Sequence, residues 1–170
     1  MPTRFLARDV KWRDFQSYGT ESQRPTDWFG ADCLNEFGTQ NNSLSVWILD
    51  GENNDEIKAV ATALLAKPER CLNPVEVAWI SVADVEKLGL AVTPTLGQTG
   101  YTLWRKRHGD FQDLTIDAIC EVGKLFAAAV KINGKVQRFT KGQVKNLARE
   151  AKKANVLDDA YLHQSVKDCL

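Results

Sequence analysis

The chain has little of the material that specific chemistry is usually built from. Of its 170 residues only two are histidine, His108 and His163, and four are cysteine, Cys33, Cys71, Cys120 and Cys169. The cysteines stand far apart with no C-x-x-C pair. Neither they nor the histidines show finger or ribbon spacing, so no metal site is expected. The acidic run from Asp50 to Glu56, DGENNDE, has its glycine in the second position and no glutamate at the twelfth, which excludes an EF-hand. No P-loop, dinucleotide fingerprint or G-x-S-x-G elbow occurs, and no cofactor is expected. No apolar run approaches the ~20 residues of a membrane span, so no membrane association is expected. The segment MPTRFLARDVKWRD lacks the apolar stretch of a signal peptide. Reduced thiols and a cytoplasmic location are the corresponding expectation, and the Asn41-Asn42-Ser43 sequon then has no use. There is no internal repeat and no low-complexity segment. Formal net charge is zero, which argues against a chain that is basic throughout but leaves room for a local basic face.

What is present is a foldable pattern. Hydrophobic residues make up 44% and charged residues 26% of the chain, so order rather than disorder is expected. The most informative stretch is Val75 to Gly89, VEVAWISVADVEKLG. It opens with a strand-length apolar run. Ser81 then reads as a helix N-cap with Asp84 three residues on, Val82, Val85 and Leu88 supply an apolar face, and Gly89 suits the left-handed position that ends a helix. Ser43 to Leu49 reads as a strand. Asn54 is the expected cap of a helix whose stripe is Ile57, Val60, Ala61, Leu64 and Leu65, ended near Lys67 by Pro68. Residues 4–18 fit a strand or a short helix, lined by Phe5, Val10, Trp12 and Phe15. Residues 19–42 read as a long loop holding Trp28 and Phe29, with one helical turn near Ala31 to Phe37.

Ala91 to Gly100, with Pro94, Gly97 and Gly100, reads as a turn region, and Tyr101 to Arg107 as a strand with Tyr101, Leu103 and Arg105 on one face. Thr115 caps a helix over 116–131, and Asn133-Gly134 is a turn. Thr140 and Gln143 form a capping box, with Phe139 and Val144 as a hydrophobic staple, and open a helix running to about Ala154. A short helix over 158–168 closes the chain. The expectation is a single α+β unit. A small, largely antiparallel sheet packs with helices over residues 1–134, and a helical segment, 135–170, packs on it.

Three kinds of chemistry are worth testing. His108 lies beside Asp110, a pairing that could make a general base in a small hydrolase or nuclease. The neighbouring cations Arg105, Lys106 and Arg107 oppose its protonation, however, and a structural or binding contact is the expected role, with no catalytic residue expected. Gly97-Gln-Thr-Gly100 is a G-x-x-G, but a hairpin turn explains both glycines. The strongest signal is charge. From Lys131 to Lys153 stand eight bases against the single acid Glu150, while Gly19 to Val60 holds eight acids and two bases. Lys141, Lys145, Arg149 and Lys152 recur at helical spacing opposite Val144, Leu147, Ala148 and Ala151, and Lys153 extends the patch. Trp104, Arg105, Lys106, Arg107 and His108 form a second basic cluster. Both clusters are expected to contact a macromolecular partner, a protein first and nucleic acid second.

The order SLSVW, an alanine-rich helix, VAWISVADVEKLGL, a proline-containing loop and HGDFQDL, spanning about Ser43 to Leu114, resembles a set of small uncharacterised bacterial proteins found in mobile or defence-type loci. The resemblance implies a bacterial or phage origin and an accessory role, its members having no assigned activity. The leading expectation is a non-enzymatic interaction protein of the antitoxin, immunity or defence-subunit kind.

Overall fold

The computed structural model describes residues 3–15, 31–132 and 134–170. Six strands form one sheet: β1 (Phe5–Asp9), β2 (Leu44–Leu49), β3 (Val75–Ser81), β4 (Val92–Thr95), β5 (His108–Phe111) and β6 (Val136–Phe139). Their order is β4-β5-β2-β1-β3-β6, and every pairing is antiparallel. The helices are α1 (Asn54–Leu65), α2 (Val82–Lys87), α3 (Ile116–Lys131), α4 (Lys141–Lys153) and α5 (Gln164–Lys167), joined by 3-10 turns. This is the α+β arrangement expected.

The two-residue period of a strand sorts the core into two layers. Phe5, Ala7, Trp47, Leu49, Val75, Val77 and Trp79 face one side, where α1 and α4 cover them. Leu6, Leu44, Val46, Ala78, Ile80 and Phe111 face the other, against Val85 of α2 and Val122, Phe126 and Val130 of α3. Burying each large side chain stabilises by roughly 1.5–3 kcal/mol, so these layers dominate the fold. Residues after Val136 belong to the first layer: Phe139, Val144, Ala148, Ala151, Leu157, Leu162 and Val166 share it with Phe5 and Trp47.

The caps set the helix starts. Thr115 accepts from Ala118 N at 3.2 Å. Thr140 and Gln143 close the capping box, Gln143 N to Thr140 Oγ1 at 3.3 Å and Thr140 N to Gln143 Oε1 at 2.8 Å, with Phe139 and Val144 buried beside it. The first helix is capped by Asn53 rather than Asn54, through a 2.9 Å bond from Glu56 N.

Four expectations are corrected. Tyr101 to Arg107 is not a strand, since residues Thr102–Arg107 form a 3-10 helix. In that helix residues three apart share a face. Tyr101 and Trp104 therefore both reach the core, while Leu103 stays 62% exposed. The strand comes next, at His108–Phe111, where Gly109 and Asp110 weaken the sequence signal. Val92–Thr95 is an edge strand rather than a turn, which is where a proline such as Pro94 is tolerated. Val136–Phe139 is the opposite edge strand, so the helical part of the C-terminal segment begins only at Lys141. The closing helix is broken into a 3-10 turn, Asp159–Tyr161, and α5, with His163 as the N-cap of α5. The turn expected near residue 31 is present as a 3-10 helix, Ala31–Phe37. Trp28 and Phe29 lie outside the described residues.

Candidate functional site

Helix α4 buries Val144, Ala148 and Ala151 and turns its bases outward. Lys141 and Lys153 are exposed and Lys145 half-buried, and none of the three makes an ion pair among the described residues. The other two bases are engaged. Arg149 Nε donates to Cys169 O at 3.0 Å, and Lys152 pairs with Asp159. Ahead of the helix Lys135 pairs with Glu52 and lies over the Phe5 ring, and Arg138 pairs with Glu76 at 3.1 Å. The expected separation of the acidic and basic blocks is thus partly closed by Glu52 and Lys135.

The second basic cluster does not form one surface. Trp104 packs into the core. Arg105 donates to Thr99 O at 2.8 Å and to Asp158 at 3.1 Å, and stacks on Tyr161 at 4.6 Å. Arg107 pairs with Asp50 at 2.5 Å, which raises the guanidinium's pKa and lowers that of the carboxyl through their shared hydrogen bond. Lys106 alone of these cations is exposed without a partner among the described residues.

His108 is buried inside the sheet, edge-on to Trp47 at 5.1 Å. Strand pairing places Trp47 opposite His108 and Ser45 opposite Asp110, so all four share one face. Asp110 accepts from Ser45 Oγ at 2.7 Å and from Thr95 Oγ1 at 2.6 Å. Because the Thr95 proton goes to Asp110, the 2.8 Å contact between Thr95 Oγ1 and His108 Nδ1 has the imidazole as donor. Neutral His108 is therefore the Nδ1–H tautomer. Neither hydroxyl hands its proton to the ring, as an activated nucleophile would. Burial lowers the His108 pKa, against the pull of Asp110. Burial pushes Asp110 up, but the hydrogen bonds from Thr95 and Ser45 outweigh it, and its pKa is lowered.

The same polar corner opens into a cavity of about 400 Å³. Strands β1 and β2 pair only from Phe5↔Leu49 to Ala7↔Trp47 and then diverge. Arg8 fills the gap. Its Nε and Nη2 donate to Glu36 O, at 3.0 and 2.5 Å, and its Nη1 to Ser45 O at 2.8 Å. Lys67, just past α1, lines the cavity with Arg8, Ser45 and Trp47. Burial lowers the pKa of both cations. The acids at the rim are engaged: Glu36 with Lys11 at 2.9 Å, raising the lysine's pKa through the hydrogen bond, and Asp9 with Arg70 at 2.6 Å. Nothing in the sequence marked Arg8, Ser45 or Lys67, which only the fold brings together.

A second pairing escaped the sequence reading because its members are 92 residues apart. Cys71 Sγ, exposed, lies 3.5 Å from His163 Nε2, while Ser165 N donates to His163 Nδ1 at 3.1 Å. The latter bond makes Nδ1 the acceptor, so neutral His163 points its Nε2–H at the sulfur. Ser165 Oγ also receives Leu72 N at 2.9 Å, fastening the Cys71 loop to α5. A cap and a loop tether account for this geometry.

All four cysteines are free. No group of three or more potential metal ligands occurs among the described residues, and none of their helices is long and apolar enough to cross a membrane. No family model, curated protein or solved structure matches the chain.

Proposed function

We propose that this chain is a non-enzymatic interaction protein of the cytoplasm that docks an acidic protein surface through the outer face of α4. The observation that carries the reading is the set Lys141, Lys145 and Lys153, three cations on one helix with no ion-pair partner among the described residues. Folding gains nothing from leaving them unpaired, whereas an unpaired field of one sign speeds and orients encounter with the opposite charge. A protein is favoured over nucleic acid because Arg105 and Arg107, the bidentate-capable cations nearest an aromatic, are held by Asp158 and Asp50. The accessory role implied by the resemblance of Ser43 to Leu114 agrees with this reading.

The test is binding of labelled poly-L-glutamate and of duplex DNA to the wild-type chain and to a Lys141→Glu, Lys145→Glu, Lys153→Glu triple variant, by fluorescence anisotropy over a salt series. Arg149 and Lys152 are left intact because they hold Cys169 and Asp159. The wild type should bind the polypeptide in a salt-dependent manner, and the folded triple variant should lose about tenfold or more in affinity. Tighter binding to DNA, with a steep salt slope, would support the nucleic-acid alternative. Equal binding by wild type and variant would overturn the docking face.

A further inference from the structure

We propose that the cavity between the diverging ends of β1 and β2 is a binding site for a small oxyanion, a phosphate or carboxylate group, held by Lys67 and Arg8. The lining is rich in cations, and Arg8 and Lys67 among them keep free donors. The Arg8 guanidinium has five N–H groups and directs three nitrogens at backbone carbonyls, so its charge meets no carboxylate directly. The Lys67 ammonium has three N–H groups and makes no hydrogen bond or ion pair among the described residues, although its side chain is half-buried. Its ammonium nitrogen is not sealed from solvent, and Glu69 and Asp9 attract it without bonding to it, so an incoming anion can take its donors without breaking a bond within the protein.

The nearby carboxylates Asp9, Glu36 and Asp110 each hold other donors. Asp9 holds Arg70 and receives Glu76 N, Glu36 receives both Lys11 N and Lys11 Nζ, and Asp110 receives Ser45 and Thr95. Glu69, exposed at the rim, attracts Lys67 but is not bonded to it. The lining carries four cations, Arg8, Lys11, Lys67 and Arg70, against three carboxylates, Asp9, Glu36 and Glu69, and with the Lys67 donors free this suits an oxyanion. Its volume of about 400 Å³ exceeds what a bare ion needs, and Trp47 and Leu64 supply an apolar wall. The ligand class that fits is a small organic molecule carrying one phosphate or carboxylate, with its body against Trp47.

The experiment uses the full chain with two probes, inorganic phosphate and acetate. Their binding is followed by the ¹⁵N-resolved Trp47 indole and Arg8 Nε signals and by the melting temperature, up to about 10 mM. Saturable shifts at both signals and a rise in melting temperature are expected with at least one probe. The relative response to phosphate and acetate distinguishes the two groups. Lys67→Met should weaken binding by about tenfold or more while melting no lower than the wild type without the anion, since the ammonium makes no hydrogen bond or ion pair among the described residues. Lys67→Arg should restore binding. Saturable binding that Lys67→Met leaves unchanged would overturn the assignment, as would the absence of any saturable shift in the wild type. A Lys67→Met variant that is destabilised without anion would show that the ammonium has a structural partner, and would overturn it as well.

Discussion

Gly109 is the residue on which the β4–β5 edge depends. A Cβ built there would lie 2.5 Å from Val92 Cγ1 and 3.2 Å from both Ile48 Cδ1 and Thr93 O. Carbon atoms in contact sit near 3.5–4.0 Å, so the first approach is short by about 1 Å or more. Rotating Val92 would relieve it at a cost of about 0.5–1.5 kcal/mol for a strained rotamer of a β-branched side chain. The Thr93 carbonyl cannot rotate away, because it belongs to the backbone of the strand. Only a shift of β4 relieves it, and β4 carries Thr95, the donor to Asp110 and acceptor from His108. Gly109→Ala should therefore cost about 1–3 kcal/mol in overpacking. At about 2–4 °C per kcal/mol for a chain of this size, the melting temperature should fall by about 2–12 °C. Thermal unfolding followed by circular dichroism measures it. Adding Val92→Ala to Gly109→Ala should recover part of the loss, because it removes the nearest obstacle. A Gly109→Ala chain that melts with the wild type would refute the placement of β4 against β5.

Three further outcomes follow from named contacts. Thr140→Ala should destabilise by about 1 kcal/mol through loss of the cap on α4, while the exposed Lys141→Ala should stay within about 0.5 kcal/mol, both read from urea midpoints. Acidification should lower stability in two steps. Burial holds folded His108 below its ordinary 6.5, so as pH falls through 6.5 the unfolded chain takes up a proton that the folded chain refuses, and stability drops. Folded Asp110 is held below its ordinary 3.8, so the stability it contributes above that pH is lost as pH falls through its lower folded value. His108→Gln should flatten the first step, measured as urea midpoint against pH, and a wild-type midpoint that rises on acidification below 6.5 would contradict the buried histidine.

The parts of the fold legible in the sequence are those with a local cause. The apolar run Val75–Ile80, the Ser81, Thr115 and Thr140 caps and the stripes of α1 and α4 are each encoded within a few turns of chain, and each is present. The three edge or near-edge strands were not legible. Pro94 reads as a turn, Gly109 and Asp110 read as a loop, and Val136 to Phe139 is too short to stand apart from the helix it precedes. Tyr101 to Arg107 misleads because it holds both an alternate apolar pair, Tyr101 and Leu103, and a three-apart pair, Tyr101 and Trp104, and the choice is made by distant groups. Asp158 N donates to Gly100 O at 2.8 Å, and Thr102 N donates to Val156 O at 3.0 Å. The candidate sites divide in the same way. The basic face of α4 is visible as helical spacing. The fate of Arg105 and Arg107 is not, because their partners Asp158 and Asp50 are more than fifty residues away. The Arg8–Lys67 cavity exists only where two paired strands part, a feature no local pattern announces.

The central claim is that α4 presents a docking face, and the most direct measurement maps bound poly-L-glutamate onto the amides by nuclear magnetic resonance at low salt. The largest shifts should fall on Lys141, Lys145 and Lys153 and their neighbours and fade as salt is raised. Shifts confined to Thr102–Arg107, or spread without preference over every exposed lysine, would contradict it.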